Sequence, residues 1–379
     1  MSTPEMSSQQ VAIRRTKKTP DLFLLATVFI LLGIGLVMVF SASSVEAMVL
    51  FKDPYYFLTK QIIWSVLGLV AMFFISKIDY WHYPKWAFPL FALTFLLLIA
   101  VLIPGVGRNI NGARRWIGFG SLVFQPSEVA KISVVLLFAT TLTGTRFRPE
   151  RFIRGILPHI GILAAVFALI LKEPDMGTAM ALGGTAFTMM FVAGGKKRYL
   201  GGLIAAAIPI VAVMIMAAPY RRQRFLAFLD PWKHPLGSGY HIIQSLYALG
   251  SGGLFGVGLG RSSLKYFYLP EQHTDFIFAI LGEELGFIGA ATVVILFFFF
   301  AWRGFKIAIA APDHFSSILA VGVTMMIILQ ATINIAVVTA SMPITGIPLP
   351  FISYGGSSLV FALAGIGALL NISKHSTTP

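Results

Sequence analysis

The chain has 379 residues, of which 57% are hydrophobic and only 12% charged, with a net charge of +14 and no cysteine; its mean hydropathy is +0.82. Soluble domains carry about 25% charged residues, so a water-soluble globular fold is excluded. Disulfides, thiolate catalysis and Cys-ligated metals are excluded too, and the basic excess lies between hydrophobic runs rather than in a nucleic-acid-binding stripe, so no nucleic-acid partner is expected.

Residues 1–20 are polar and close on Arg14, Arg15, Lys17 and Lys18. The apolar run after them is long enough to span and carries no clear cleavage site, so it reads as a retained first helix behind a cytoplasmic tail. Ten apolar segments follow in order, at 21–40, 57–76, 86–103, 127–143, 155–171, 176–193, 199–217, 275–300, 315–338 and 352–371. Each approaches the length a bilayer demands. The predicted fold class is an all-α polytopic membrane protein of about ten transmembrane helices. It forms a single membrane domain over 21–372, with 373–379 as a C-terminal cytoplasmic tail.

Cytoplasmic loops are enriched in Lys and Arg. With the N-terminus inside, sixteen basic residues fall on inner segments, against five (Lys52, Arg108, Arg114, Arg115, Lys172) in the short outer loops. The predicted orientation is N-in and C-in. The large connection 218–274, between the seventh and eighth segments, then lies outside the cytoplasm. Its aromatic and apolar content points to amphipathic or re-entrant pieces against the bundle rather than to disorder. No internal repeat is evident, which weakens an inverted-repeat transporter reading.

Chemistry is expected on the outer face. In 108–120, Arg114 and Arg115 offer planar donors for phosphate oxygens, or they snorkel to anionic lipid. At 125–135, Gln125 precedes Glu128 and Lys131, which share a helix face three residues apart and form either a structural pair or a substrate-orienting one. Glu173 and Asp175 lie in a short outer turn, where a helix cap competes with weak divalent-cation binding. Asp275 stands at the entrance of the eighth segment beside His273, with Thr274 a candidate N-cap. There a helix dipole would keep the carboxylate ionised, to act as a base or merely as a cap. Deeper on that segment, Glu283 and Glu284 are either a cavity pair or a buried structural one. Three prolines and three glycines between Met342 and Gly356 forbid a regular helix there.

These blocks resemble one family. The stretch from Asn334 to Ser358, with PITGIPLPFISYGGSS, is similar to the signature of the FtsW/RodA/SpoVE proteins, called SEDS. QPSE at 125–128, EPDMGTA at 173–179 and HTDFIFA at 273–279 resemble further family blocks, in the expected order and over nearly the whole chain. The segments around 219–250 and 269–289 are most similar to the sporulation members. The resemblance implies a multi-pass protein of the bacterial cytoplasmic membrane that polymerises lipid II into glycan strands on its outer face. The process served is division, elongation or spore cortex synthesis, and the alternative is a lipid II flippase. It implies Asp275 as the essential acidic residue of the HTDF block, catalytic as a general base, and maps the family's polar pair onto Glu128 and Lys131. Candidate substrate-binding residues are Arg114, Arg115, Gln125, Glu128, Lys131, Glu173, Asp175, Arg224, His273 and Ser353. The expected partners are a class B penicillin-binding protein, proteins of the divisome, elongasome or sporulation machinery, and membrane lipids. No cofactor or metal is assigned, although a divalent cation could help neutralise a pyrophosphate.

Overall fold

The computed structural model describes residues 19–376 apart from 111, 120, 121 and 146. The basic residues Arg14, Arg15, Lys17, Lys18 and Arg146, which entered the orientation argument, lie outside the described residues. Among the described residues there are twelve α-helices: α1 Leu22–Phe51, α2 Tyr56–Lys77, α3 Tyr83–Leu102, α4 Pro126–Leu142, α5 Leu157–Lys172, α6 Met176–Val192, α7 Lys197–Ala217, α8 Pro219–Leu229, α9 Tyr240–Ser251, α10 Ile277–Ile309, α11 His314–Val338 and α12 Gly356–Ser373. Ten of them coincide with the ten predicted segments. Eight are long and apolar enough to cross a membrane, and α4 and α6 are shorter, at 17 residues each. The apolar runs dictate this outcome, because a helix satisfies its own backbone in lipid.

Helices α11 and α12 are the most buried spans and α7 is peripheral, with only Leu200 buried. Small residues set the close contacts, as expected where no hydrophobic force drives helices together in lipid. A Cβ on Gly367 would meet the Met72 backbone carbonyl at 2.6 Å, and one on Gly304 would meet Thr324 Oγ1 at 2.3 Å. At one end of the bundle Asp21 caps α1, pairs with Arg303 of α10 and accepts a close hydrogen bond from it; the Asp21 amide donates to Ser373 Oγ of α12 at 3.0 Å. The start of α1 and the ends of α10 and α12 therefore share that end. The site described below sits at the other.

The all-α expectation needs one correction. The connection before α4 folds as a small antiparallel sheet, with β1 Arg108–Ile110, β2 Ala113–Phe119 and β3 Leu122–Phe124 in the order β1-β2-β3. Arg108 pairs with Trp116 and Asn109 with Arg114, with a register shift between them. Asn-Gly at 111–112 is a hairpin turn signal, and Gly112 adopts φ +80°.

The 218–274 connection carries α8, α9 and an irregular stretch that packs against α10. That stretch explains a break in α10. At Gly286 the helix turns non-helical (φ 68°, ψ −169°). The freed groups are taken up by the connection: Val257 and Gly258 amides donate to the Glu283 and Glu284 carbonyls at 3.0 Å each. Phe287 and Ile288 amides donate to the Gly253 and Leu254 carbonyls at 2.9 and 3.2 Å. Backbone at membrane depth is tolerated only when satisfied in this way.

The two glutamates beside the break hold that stretch. Ser41 Oγ donates to Glu284 at 2.7 and 2.6 Å, and Lys265 Nζ lies 3.5 Å from it. Glu283 accepts from Ser262 Oγ, and from Ser263 through N and Oγ at 3.0 Å each. Of the two readings open at the sequence, the structure favours the buried structural pair.

Candidate functional site

A cavity of about 550 Å³ opens at the end of the bundle that carries β1–β3 and the 218–274 connection. Several pieces of chain build it, among them α2 through Trp64 and the start of α12 through Ser357. Strand β2 brings Arg115 and Trp116, the start of α4 brings Gln125 and Glu128, and the cap of α6 brings Asp175. The connection brings Arg224, His241, Glu271 and Asp275, and the Pro/Gly segment after α11 brings Thr345, Gly346 and Tyr354.

Asp275 lies two residues before α10, whose N-cap position is Phe276 with no side-chain cap. The expected Thr274 cap and dipole-held charge are therefore corrected. The Asp275 carboxyl makes no side-chain hydrogen bond among the described residues, and burial instead pushes it up to about 7. Glu271 and Asp175 raise it further, while Arg224 and Arg115 oppose them. Its backbone is pinned: Asn334 Nδ2 donates to the Asp275 carbonyl at 2.8 Å and to the Ile347 carbonyl at 2.7 Å. A Cβ on Gly346 would lie 3.5 Å from Asp275 Oδ2. Because Gly346 has φ +77°, glycine is the residue that lets this loop approach the carboxyl.

The arginines are fixed by backbone carbonyls. Arg115 donates through Nε to Glu173 O at 2.7 Å and through Nη2 to Pro174 O at 2.5 Å. Arg224 donates to Ile344 O at 3.2 Å and stacks over Tyr220, 4.7 Å from the ring centre. Neither has a carboxylate partner within ion-pair distance among the described residues. Their charge is thus available to an anion in the cavity.

Six predicted residues line the cavity together: Arg115, Gln125, Glu128, Asp175, Arg224 and Asp275. Asp175 is also the cap of α6. Its Oδ1 accepts from Thr178 N at 3.0 Å, and its Oδ2 from Thr178 Oγ1 and Gln125 Nε2 at 2.9 Å each. Five predicted residues stand behind or beside the wall. Arg114 is exposed, because strand alternation sends it to the opposite face of β2 from Arg115. Lys131 is buried between Glu128 Oε2 (2.8 Å) and Gln330 Oε1 (2.5 Å). Glu173 is fully buried, both carboxyl oxygens lack a partner among the described residues, and burial with nearby Asp175 pushes it up to about 9. His273 packs on Phe57, 3.3 Å from Glu46 Oε2. Ser353 donates to Thr274 O at 2.6 Å and accepts from Leu349 N at 2.7 Å, stapling two loops.

Glu271, His241, Thr345 and Trp64 also line the cavity and are not singled out by the sequence. His241 stacks on Phe276, and burial and Arg224 hold it below its usual value. Among the described residues no three His, Asp or Glu side chains are grouped to hold a metal ion.

Residues 22–378 match the family model FtsW/RodA/SpoVE, described as cell cycle proteins. The chain belongs to this family. Stage V sporulation protein E of Bacillus subtilis is 48% identical over 95% of this chain and 99% of its own length. A probable peptidoglycan glycosyltransferase FtsW of Geobacter sp. M18 is 43% identical over 94% and 97%. Among solved structures, a chain from a peptidoglycan synthase complex that coordinates polymerization and crosslinking superposes with TM-score 0.79 at 33% identity, covering 95% of this chain and 99% of that one. The rod shape determining protein RodA of Thermus thermophilus gives 0.70 at 30%, covering 95% and 98%. The FtsW/RodA/SpoVE membership makes this a multi-pass membrane protein with the helical fold of those structures.

Proposed function

We propose that the chain is a peptidoglycan glycosyltransferase that polymerises lipid II on the outer face of the bacterial cytoplasmic membrane. The observation that carries this reading is Asp275, a carboxyl free of side-chain hydrogen bonds among the described residues, standing in one cavity with Arg115 and Arg224. The family relatives supply the substrate class. The N-in, C-in orientation expected from the charges puts the cavity on the outer side.

The chemistry follows from the groups present. The acceptor is a GlcNAc 4-hydroxyl and the donor a MurNAc anomeric carbon bearing undecaprenyl pyrophosphate. Asp275 takes the hydroxyl proton as that oxygen bonds to the anomeric carbon, the bond to the pyrophosphate oxygen breaks, and the anomeric centre inverts. A base with proton affinity near the working pH is best matched to this step. Arg115 and Arg224 face the charge that grows on the leaving pyrophosphate. A second chamber of about 200 Å³, lined by Met176, Met180, Val211, Ile215 and Phe225, meets the first at Arg224 and Thr345. It offers the first isoprene units an apolar place beside the charged head.

The test is polymerisation of labelled lipid II by purified protein in detergent, with a class B penicillin-binding protein added as the partner expected for the family. Glycan strands formed by wild type and lost in Asp275→Ala, with the variant still folded, support the reading. Movement of lipid II across liposomes without polymer would establish the flippase instead.

A further inference from the structure

Glu271 shares the cavity wall with Asp275. The chain between them is one tight turn, in which the Glu271 carbonyl accepts from the amides of Thr274 and Phe276 at 3.2 Å each. Glu271 itself sits at φ +54°, a left-handed conformation that is unfavourable for a non-glycine residue and persists only where its surroundings hold it. Its side chain is held as well, since Thr274 Oγ1 donates to Oε2 at 2.8 Å. Two carboxyl groups four positions apart thereby line one chamber, with that of Glu271 held by Thr274 at the chamber's exposed rim.

We propose that Glu271 is a positioning residue that keeps Asp275 basic by placing a second negative charge in its cavity. The proposal rests on Asp275 being the base. Arg115 from β2 and Arg224 from α8 pull Asp275 towards the ionised, weakly basic state, and Asp175 at the α6 cap opposes them. His241 from α9 is kept neutral by its burial, and the Tyr354 hydroxyl, raised to about 12, is neutral as well. Thr345 and Gly346 bring no titratable group from the facing loop. Glu128 from α4 also lines the cavity but is paired with Lys131, so without Glu271 the two arginines are opposed chiefly by Asp175, and Asp275 loses proton affinity that its role requires.

The experiment is an infrared titration of the carboxyl band of purified full-length protein, with Asp275→Asn identifying the Asp275 contribution. Lipid II polymerisation is measured over the same pH range. Glu271→Gln keeps an acceptor for Thr274 Oγ1 while removing the charge. Its Asp275 band should titrate about one pH unit lower than in wild type, and the acid limb of the polymerisation rate should move with it. Glu271→Asp retains the charge and should restore the midpoint. An unmoved midpoint in Glu271→Gln overturns the proposal, even where the rate falls at every pH; so does a Glu271→Asp midpoint that stays with Glu271→Gln. Failure of the underlying reading is seen separately, as polymerisation surviving in Asp275→Asn, because the band titration requires no activity.

Discussion

Asn334 Nδ2 donates to the Asp275 carbonyl at 2.8 Å and to the Ile347 carbonyl at 2.7 Å, so one buried amide joins the candidate base to the loop that faces it. Asn334→Leu keeps the volume and leaves both carbonyls unpaired, at about 1–3 kcal/mol for each buried group. The expected outcome is a polymerisation kcat at least tenfold lower, with KM for lipid II changed far less, since the loss falls on placement of the base. Steady-state kinetics beside thermal unfolding in detergent check it. A KM effect larger than the kcat effect would contradict the assignment.

Asp275 gives the reaction its pH dependence. A base works deprotonated, so the rate should rise with pH through about 7 and level above it. The stability contribution has the opposite sign. The folded value is raised from 3.8, so the stabilisation is full below that value and is lost as pH rises through about 7. Wild type should therefore gain activity and lose thermal stability over the same interval. Asp275→Asn should lose the activity and the Asp275 share of the stability slope, leaving a shallower slope to which Glu173 contributes; parallel rate and unfolding profiles will show both.

The ten helices at the predicted segments, eight of them long and apolar enough among the described residues to cross a membrane, were legible because an apolar run has no other way to satisfy its backbone in lipid. The cap at Asp175 was legible as well, because capping is local and needs only the residues that follow. The sheet was missed although Asn111–Gly112 signals a hairpin, since the arginines around it drew the reading to charge instead of turn chemistry. Arg114 and Arg115 looked like one clamp in sequence, and strand alternation separated them. Glu271 and His241 could not be found from local pattern, because what matters is which chain segments converge on Asp275. The state of Asp275 was misjudged for the same reason: a helix dipole is local, whereas burial and the surrounding charges are tertiary.

Lys131 and Glu128 form a buried pair, 2.8 Å apart, that reaches Gln330 at 2.5 Å. Lys131→Met leaves Glu128 uncompensated and should cost about 3–5 kcal/mol. Adding Glu128→Gln should recover much of that loss, because no buried charge then remains. Glu128 lines the cavity and Lys131 does not, so the double variant should stay folded yet polymerise lipid II at least tenfold more slowly. Unfolding midpoints and polymer yield measure the two effects independently; a stable, fully active double variant would confine the pair to structure.

Glu173 is the clearest stability prediction. Its carboxyl is fully buried, has no partner among the described residues and is pushed up to about 9. In the folded chain it is neutral at neutral pH, whereas in the unfolded chain it ionises near 4.5. Its stabilising contribution is present below that value and is lost progressively as pH rises towards 9. Glu173→Gln makes the site neutral in both states, so the variant should gain on wild type as pH rises from about 5 towards 9, at up to about 1.4 kcal/mol per pH unit. The new amide brings donors that also lack partners, a cost that does not vary with pH. The quantity to read is therefore the difference between unfolding free energies at the two pH values. A gain of equal size at both would mean that Glu173 is not held protonated in the folded protein.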